Sequence, residues 1–167
     1  MISHRAMELV PDLSVKVHPN DHINFGQSSN DTFPTAIRIA GYLETKNTLI
    51  PALKYLRETF LKKGAEYSHV VKTGRTHLMD AMPVTFEQEF GGYARQIEIG
   101  IQRIESVLEQ MAELPMGGTA VGTGINTDLE FPPKFAKEVS KLCGESFRGA
   151  ENHFEAKSTV DSPVALG

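Results

Sequence analysis

The 167-residue sequence has no tryptophan and one cysteine, Cys143. A single thiol cannot make an internal disulfide, which fits a reducing compartment. No apolar run approaches the roughly 20 residues that a membrane-crossing helix needs. The first residues, MISHRAMELV, lack the basic region, apolar core and cleavage site of a secretory signal. Basic runs are missing too. Lys and Arg number 17 against 21 Asp and Glu, a formal net charge of −4, so nucleic acid and anionic membrane are poor candidates for partners. There is no internal repeat, no low-complexity tract and no domain linker. What is present is ordinary globular composition, 40% hydrophobic and 23% charged, in a length that suits one domain or a piece of a larger one. The chain opens as a helix already under way and closes on VDSPVALG without a terminating feature, so both ends are expected to continue into further chain.

Residues 2 to 10 read as helix, ended by Pro11, and residues 11 to 27 as loop, because Pro, Asn, Asp and Gly interrupt any period. A helix is expected to begin at Asp31 as its N-cap, with Pro34 in the first turn, where a missing N–H is harmless. Phe33, Ile37, Ala40 and Leu43 keep helical spacing. The pattern resumes with Leu49, Leu53, Leu56 and Phe60, and Pro51 is expected to bend or restart the helix. HVVKTG, residues 69 to 74, has β character and runs into a turn-rich segment, RTHLMDAMPV. The strongest helix follows. Thr85 and Gln88 form a capping-box pattern. Phe86, Phe90, Tyr93, Ile97, Ile101, Ile104, Leu108 and Met111 then hold one stripe for about seven turns. So long and narrow a stripe belongs in a bundle of long helices, within or between subunits. Pro115 stops it, MGGTAVGTGIN forms a glycine-rich loop, and a last helix spans residues 130 to 143 with Gly144 as its left-handed terminator. The expected class is mostly α.

Four small polar residues stand at the mouth of the second helix in GQSSNDTFPT, residues 26 to 35. A helix N-terminus offers unpaired N–H groups and a positive dipole end, and Ser28, Ser29 and Asn30 add neutral donors there. A small dicarboxylate suits such a place, although plain capping would also use these residue types. In GRTHLMDAMP, Arg75, Thr76 and His77 occupy a turn of the kind that often carries site residues. His77 could move protons near neutral pH or orient a water; a histidine with a purely structural bond is the competing reading. His18 and His22 are four apart, but Pro19 and Asn20 argue for loop and no third ligand is near, so no metal is expected. The glycine-rich loop lacks a following Lys-Ser/Thr and a third spaced glycine, so phosphate binding is not supported, and tight turns explain its glycines. Read residue by residue, the chain is an α-helical bundle with a candidate anion site.

Three stretches taken together carry more. VHPNDHINFGQSSNDTFPTA, KTGRTHLMDAMPVTFEQEFGGY and GGTAVGTGIN resemble, in that order, the central region of class II fumarases, members of the aspartase/fumarase superfamily. The resemblance runs on through ENHFEAKSTVDSPVALG. It implies an all-α enzyme with a long-helix bundle, loop-rich segments carrying the site residues, and a homotetramer with active sites assembled from three subunits. Residues 1–27 would end an N-terminal domain and residues 28–167 would form part of the central helical bundle. The implied reaction is reversible hydration of fumarate to L-malate, without a cofactor, in the cytoplasm or, in a eukaryote, the mitochondrion. Ser28, Ser29, Asn30 and Thr76 match substrate-binding positions, and His77 matches the position that handles protons or positions water. His18, Asn20 and Asp21 match a secondary anion site outside the catalytic pocket. His77 after Thr76 favours a fumarase over an aspartase, which typically carries glutamine there.

The departures are also informative. The family's loop of the form Gly-Ser-Ser-x-x-Met-Pro-x-Lys-x-Asn, which supplies the base, does not occur in these residues, nor does the N-terminal serine and threonine segment. The 167-residue chain alone is therefore expected to be inactive. Phe25 and Gly26 also stand where many fumarases have other residues. Two alternatives stay open: a non-catalytic helical oligomerisation fragment, and another superfamily lyase such as an aspartate ammonia-lyase.

Overall fold

The computed structural model describes residues 1–166. In chain order they form α1 (Ile2–Leu9), a π-helical turn (Pro19–Ile23), α2 (Ser29–Glu44), a second π-helical turn (Thr45–Leu49) and α3 (Ile50–Glu66). A hairpin of β1 (Val71–Thr76) and β2 (Met79–Thr85) leads into α4 (Phe86–Met111). Then come β3 (Glu113–Leu114), α5 (Phe131–Cys143), β4 (Arg148–Gly149), α6 (His153–Ser158) and α7 (Asp161–Leu166). The fold is all-α in class, with the long helices that the apolar stripe predicts. Two compact units divide the chain, Met1–Gly41 with Gln110–Ala165 in one and Tyr42–Glu109 in the other.

The second unit is built on α3 and α4. Lys54 faces Glu105, Arg57 faces Glu98 and Phe60 faces Tyr93. The paired numbers run in opposite directions, so the two helices are antiparallel. Ile50, Ile101 and Leu108 form the buried core, with Leu53, Ile97 and Ile104 packed on it. Phe60 stacks obliquely on Phe90 and Tyr93, at centroid distances of 5.8 and 5.6 Å. Such geometry is favourable for aromatic pairs. The capping box is formed as expected: Thr85 N–H donates to Gln88 Oε1 at 3.0 Å and Gln88 N–H to Thr85 Oγ1 at 3.2 Å. Pro51 changes the bonding of the helix without breaking it. It lacks the N–H that would reach back four residues, and the chain answers with the π-helical turn, in which Ile50 N–H bonds Thr45 O instead.

The segment read as turns after residue 74 is instead β2, antiparallel to β1. Pro83 is tolerated because this is a two-stranded ribbon, in which each strand has a free edge. The register slips between Thr73 and Arg75, where Gly74 stands alone against Ala81 and Met82. A Cβ on Gly74 would lie 2.6 Å from Met82 O, so only glycine fits there.

Corrections also apply to the first unit. Helix α2 starts at Ser29 rather than after an Asp31 cap. The reason is a reciprocal pair: Asn30 N–H donates to Ser28 Oγ at 3.2 Å while Ser28 N–H donates to Asp31 Oδ1 at 2.9 Å. Ser28 is thus the cap, with Asp31 in the role that Glu plays in a capping box. Pro34 consequently sits in the second turn. Residues 19–23 are not loop but a π-helical turn capped by His18. The apolar stripe of α2 faces outward, with Phe33 68% and Ile37 37% exposed, while Asp31, Thr35 and Arg38, spaced by four and three, are buried. Arg38 explains this inversion. Its guanidinium donates to the carbonyls of Gln110, Glu113 and Ala156, satisfying chain ends that no helix bonds. Around it, β3 and β4 pair in parallel, and Met111, Leu114, Ala136, Phe147 and Ala156 are buried. Helix α5 ends as expected at Gly144, with φ 68° and its N–H on Ser140 O.

Candidate active site

The first unit gathers most of the predicted residues around the start of α2. Ser28 is half-buried, and Ser29 and Asn30 are exposed on the first turn. Beneath them Asp31 is wholly buried. Its Oδ2 accepts from Gly117 N–H at 3.2 Å and Thr119 N–H at 2.8 Å, in addition to the Ser28 bond at Oδ1. Three N–H groups on one carboxylate offset its desolvation and tie the glycine-rich loop to the helix. Thr119 is held at φ 54°, a left-handed conformation that β-branched residues avoid. Its carbonyl accepts from Lys157 Nζ. Burial pulls the Lys157 ammonium below the ordinary lysine range, and the charge of Asp31 pushes it back up. One residue on, Ala120 O accepts from Asn30 Nδ2 at 2.9 Å.

A pocket of about 410 Å³ opens beside this helix start, lined among others by Asn20, Asp21, Gln27, Ser28, Thr119 and Asn126. Asn20 and Asp21 of the expected secondary site thus share a pocket with Ser28. His18 is outside its lining. Its Nδ1 caps the π-helical turn, accepting from Asn20 N–H at 3.3 Å and Asp21 N–H at 3.4 Å, and lies 3.1 Å from Asp21 Oδ2. His22 spends its own Nδ1 on His18 N–H. Among the described residues no cluster of three or more His, Cys, Asp or Glu is placed to hold a metal.

Thr76 and His77 belong to the second unit, at the tip of the hairpin, and both are exposed. Thr76 pairs with Met79, so His77 and Leu78 make a two-residue turn. Their φ values of 49° and 61° are those of a type I′ turn, whose usual residues are Asn and Gly. Non-glycine residues held in this region are strained, and such strain clusters at functional sites.

A model of the family described as lyase matches residues 2–166. The chain belongs to the lyase family. It is 57% identical to a class II fumarate hydratase of Corynebacterium glutamicum over 151 residues, covering 90% of this chain and 32% of that protein. Against the mitochondrial fumarate hydratase of Rhizopus oryzae the identity is 49%, over 98% of this chain and 34% of that one. The crystal structure of recombinant class II fumarase from Schistosoma mansoni superposes with a TM-score of 0.92 at 36% identity, covering 99% of this chain and 38% of that chain. A fumarate lyase/delta crystallin structure from Brucella melitensis gives 0.88, also at 36% identity, with 99% and 36% coverage. The lyase chain therefore spans about a third of the length of the curated relatives it matches.

Three groups packed at the start of α2 were not singled out in the sequence. Asp31 was read only as a cap, although its place three residues after Ser28 is the capping-box signature. Lys157 and the Thr119–Ala120 peptides gave no local signal, since 38 residues separate Lys157 from the carbonyl it binds.

Proposed function

We propose that the full-length protein carrying this chain is a fumarate hydratase, catalysing reversible hydration of fumarate to L-malate. The observation that carries this reading is the start of the 16-residue helix α2, where Ser28 lines an open pocket and Ser29 and Asn30 stand exposed on the adjoining first turn. The relatives named above, both fumarate hydratases, support the same reading. In the elimination direction, a base removes a proton from the carbon next to one carboxylate, and the charge spreads onto that carboxylate. Preorganised donors lower the barrier most where that charge develops. Ser28, Ser29 and Asn30 supply hydroxyl and amide donors, and the helix dipole adds to them. Thr76 binds substrate, while His77 handles the proton or positions the water at the hydroxyl-bearing carbon. The base comes from a segment outside these 167 residues. His18, Asn20 and Asp21 form a secondary anion site.

In this reading residues 1–27 close an N-terminal domain, residues 28–167 belong to the central bundle, and the protein is a homotetramer. The outward apolar face of α2 supports self-association. Neither nucleic acid nor membrane is a partner, and no cofactor takes part. Among the described residues no helix is long and apolar enough to cross a membrane. The protein works in the cytoplasm, or in the mitochondrion in a eukaryote.

The test is to purify the full-length protein and follow fumarate consumption and malate formation. Turnover is expected, with Asn30→Ala lowering kcat/KM by about 100-fold, as loss of one developing-charge donor does. Ammonia release from aspartate without fumarate hydration would replace this reading with an aspartate ammonia-lyase.

A further inference from the structure

We propose that Lys157 and Asp31 are positioning residues for Asn30, acting together through the peptides of residues 117–120. This rests on the proposed dicarboxylate-binding role of Asn30. The turn is gripped from both sides. Asp31 holds the N–H groups of Gly117 and Thr119, and Lys157 holds the Thr119 carbonyl. Both sides of the Thr119 residue are thus fixed by charged groups, which bind more strongly and more directionally than neutral ones. The grip keeps Thr119 at φ 54°, a conformation that a free chain would leave. It also aims the next carbonyl, Ala120 O, at Asn30 Nδ2, 2.9 Å away.

That last bond decides which face Asn30 offers. A carbonyl only accepts, so the atom facing Ala120 must be the amide nitrogen, not Oδ1. One Nδ2–H is then committed, and the second remains for a ligand carboxylate. Without the grip the amide could rotate and set its oxygen against an anion. Gly118 completes the arrangement. A Cβ there would lie 2.8 Å from Lys157 Cδ, so glycine lets the lysine stem pass close to the loop.

A double-mutant cycle on the full-length protein tests this. Lys157→Met is expected to lower kcat/KM for fumarate by about 10-fold with Asn30 in place, and by less than about twofold once Asn30 is alanine. Lys157→Arg, which keeps the cation, is expected to recover most of the loss. A lysine that merely held the fold would act equally in both backgrounds, and that additive result overturns the proposal. Should the Lys157→Met protein not fold, a crystal structure of the wild type grown with succinate decides instead. Asn30 Nδ2 is expected to remain on Ala120 O; an amide turned away from Ala120 overturns the proposal whatever the kinetics. A wild type that does not hydrate fumarate removes the proposed activity, and that crystal structure still judges the grip by itself.

Discussion

At the scale of single residues, the start of α2 depends on a charge placed where water cannot reach it. Asp31 accepts three backbone N–H groups while fully buried. Asparagine has one acceptor oxygen and would set an NH₂ against at least one of those donors. Asp31→Asn is therefore expected to destabilise the protein by about 2–4 kcal/mol, read as a lower denaturant midpoint. Glu98 gives a different signature. Its hydrogen bond from Arg95, and then the charge of Arg57, hold its carboxyl below the ordinary value of 4.5 against the opposing effect of burial. A lowered value in the folded state means that the stabilisation is full above 4.5 and is lost as pH falls through the lowered value. Glu98→Gln should thus reduce Tm at neutral pH, and the gap to wild type should close in acid; a gap independent of pH would refute this. The placing of Ser28, Ser29 and Asn30 at the head of α2 was legible because small polar side chains before an apolar period are a local signal. Lys157 was not, because its partner lies 38 residues away.

At the scale of elements, legibility followed the length of the periodic signal. Helix α4 matches its stripe from Phe86 to Met111, because 26 residues of one period leave little ambiguity. The hairpin was half missed. Asp80 and Pro83 in β2 look like turn residues, and a proline argues against a strand unless the strand has a free edge. Helix α2 starts earlier than the expected Asp31 cap, and its apolar stripe faces outward. A periodic apolar stripe predicts which residues lie together, not what they lie against, and the carbonyls around Arg38 claimed the polar face. The hairpin offers a test at this scale. Gly74→Ala brings a Cβ within 2.6 Å of Met82 O, and the ribbon must give way. The expected cost is about 1–3 kcal/mol, seen as faster hydrogen exchange at residues 71–76, with exchange in α4 unchanged.

At the scale of the whole molecule, much apolar surface has no cover within the chain. Phe33 is 68% exposed, Tyr55 75% and Leu78 97%. Surfaces of this kind are rarely left to water. The purified 167-residue chain is expected to self-associate, as judged by light scattering, and to show no fumarate turnover, since the proposed reading takes the base from another segment. A monodisperse monomer at micromolar concentration, or measurable turnover by the isolated chain, would contradict one half of this expectation or the other.

The sequence by itself determined what depends on neighbours along the chain. That covers the helical class, the stripe of α4, its capping box, the irregularity at Pro51 and the polar residues heading α2. It also carried the family resemblance, because motifs are linear. Only the tertiary structure decided the outward face of α2, the second strand of the hairpin and the bracket of Asp31 and Lys157 around Thr119. The first and last of these depend on which carbonyls and N–H groups meet across long stretches of sequence, and the hairpin on a strand edge left free for Pro83. A buried carboxylate or guanidinium is stable only where such partners converge, and no local pattern records that convergence.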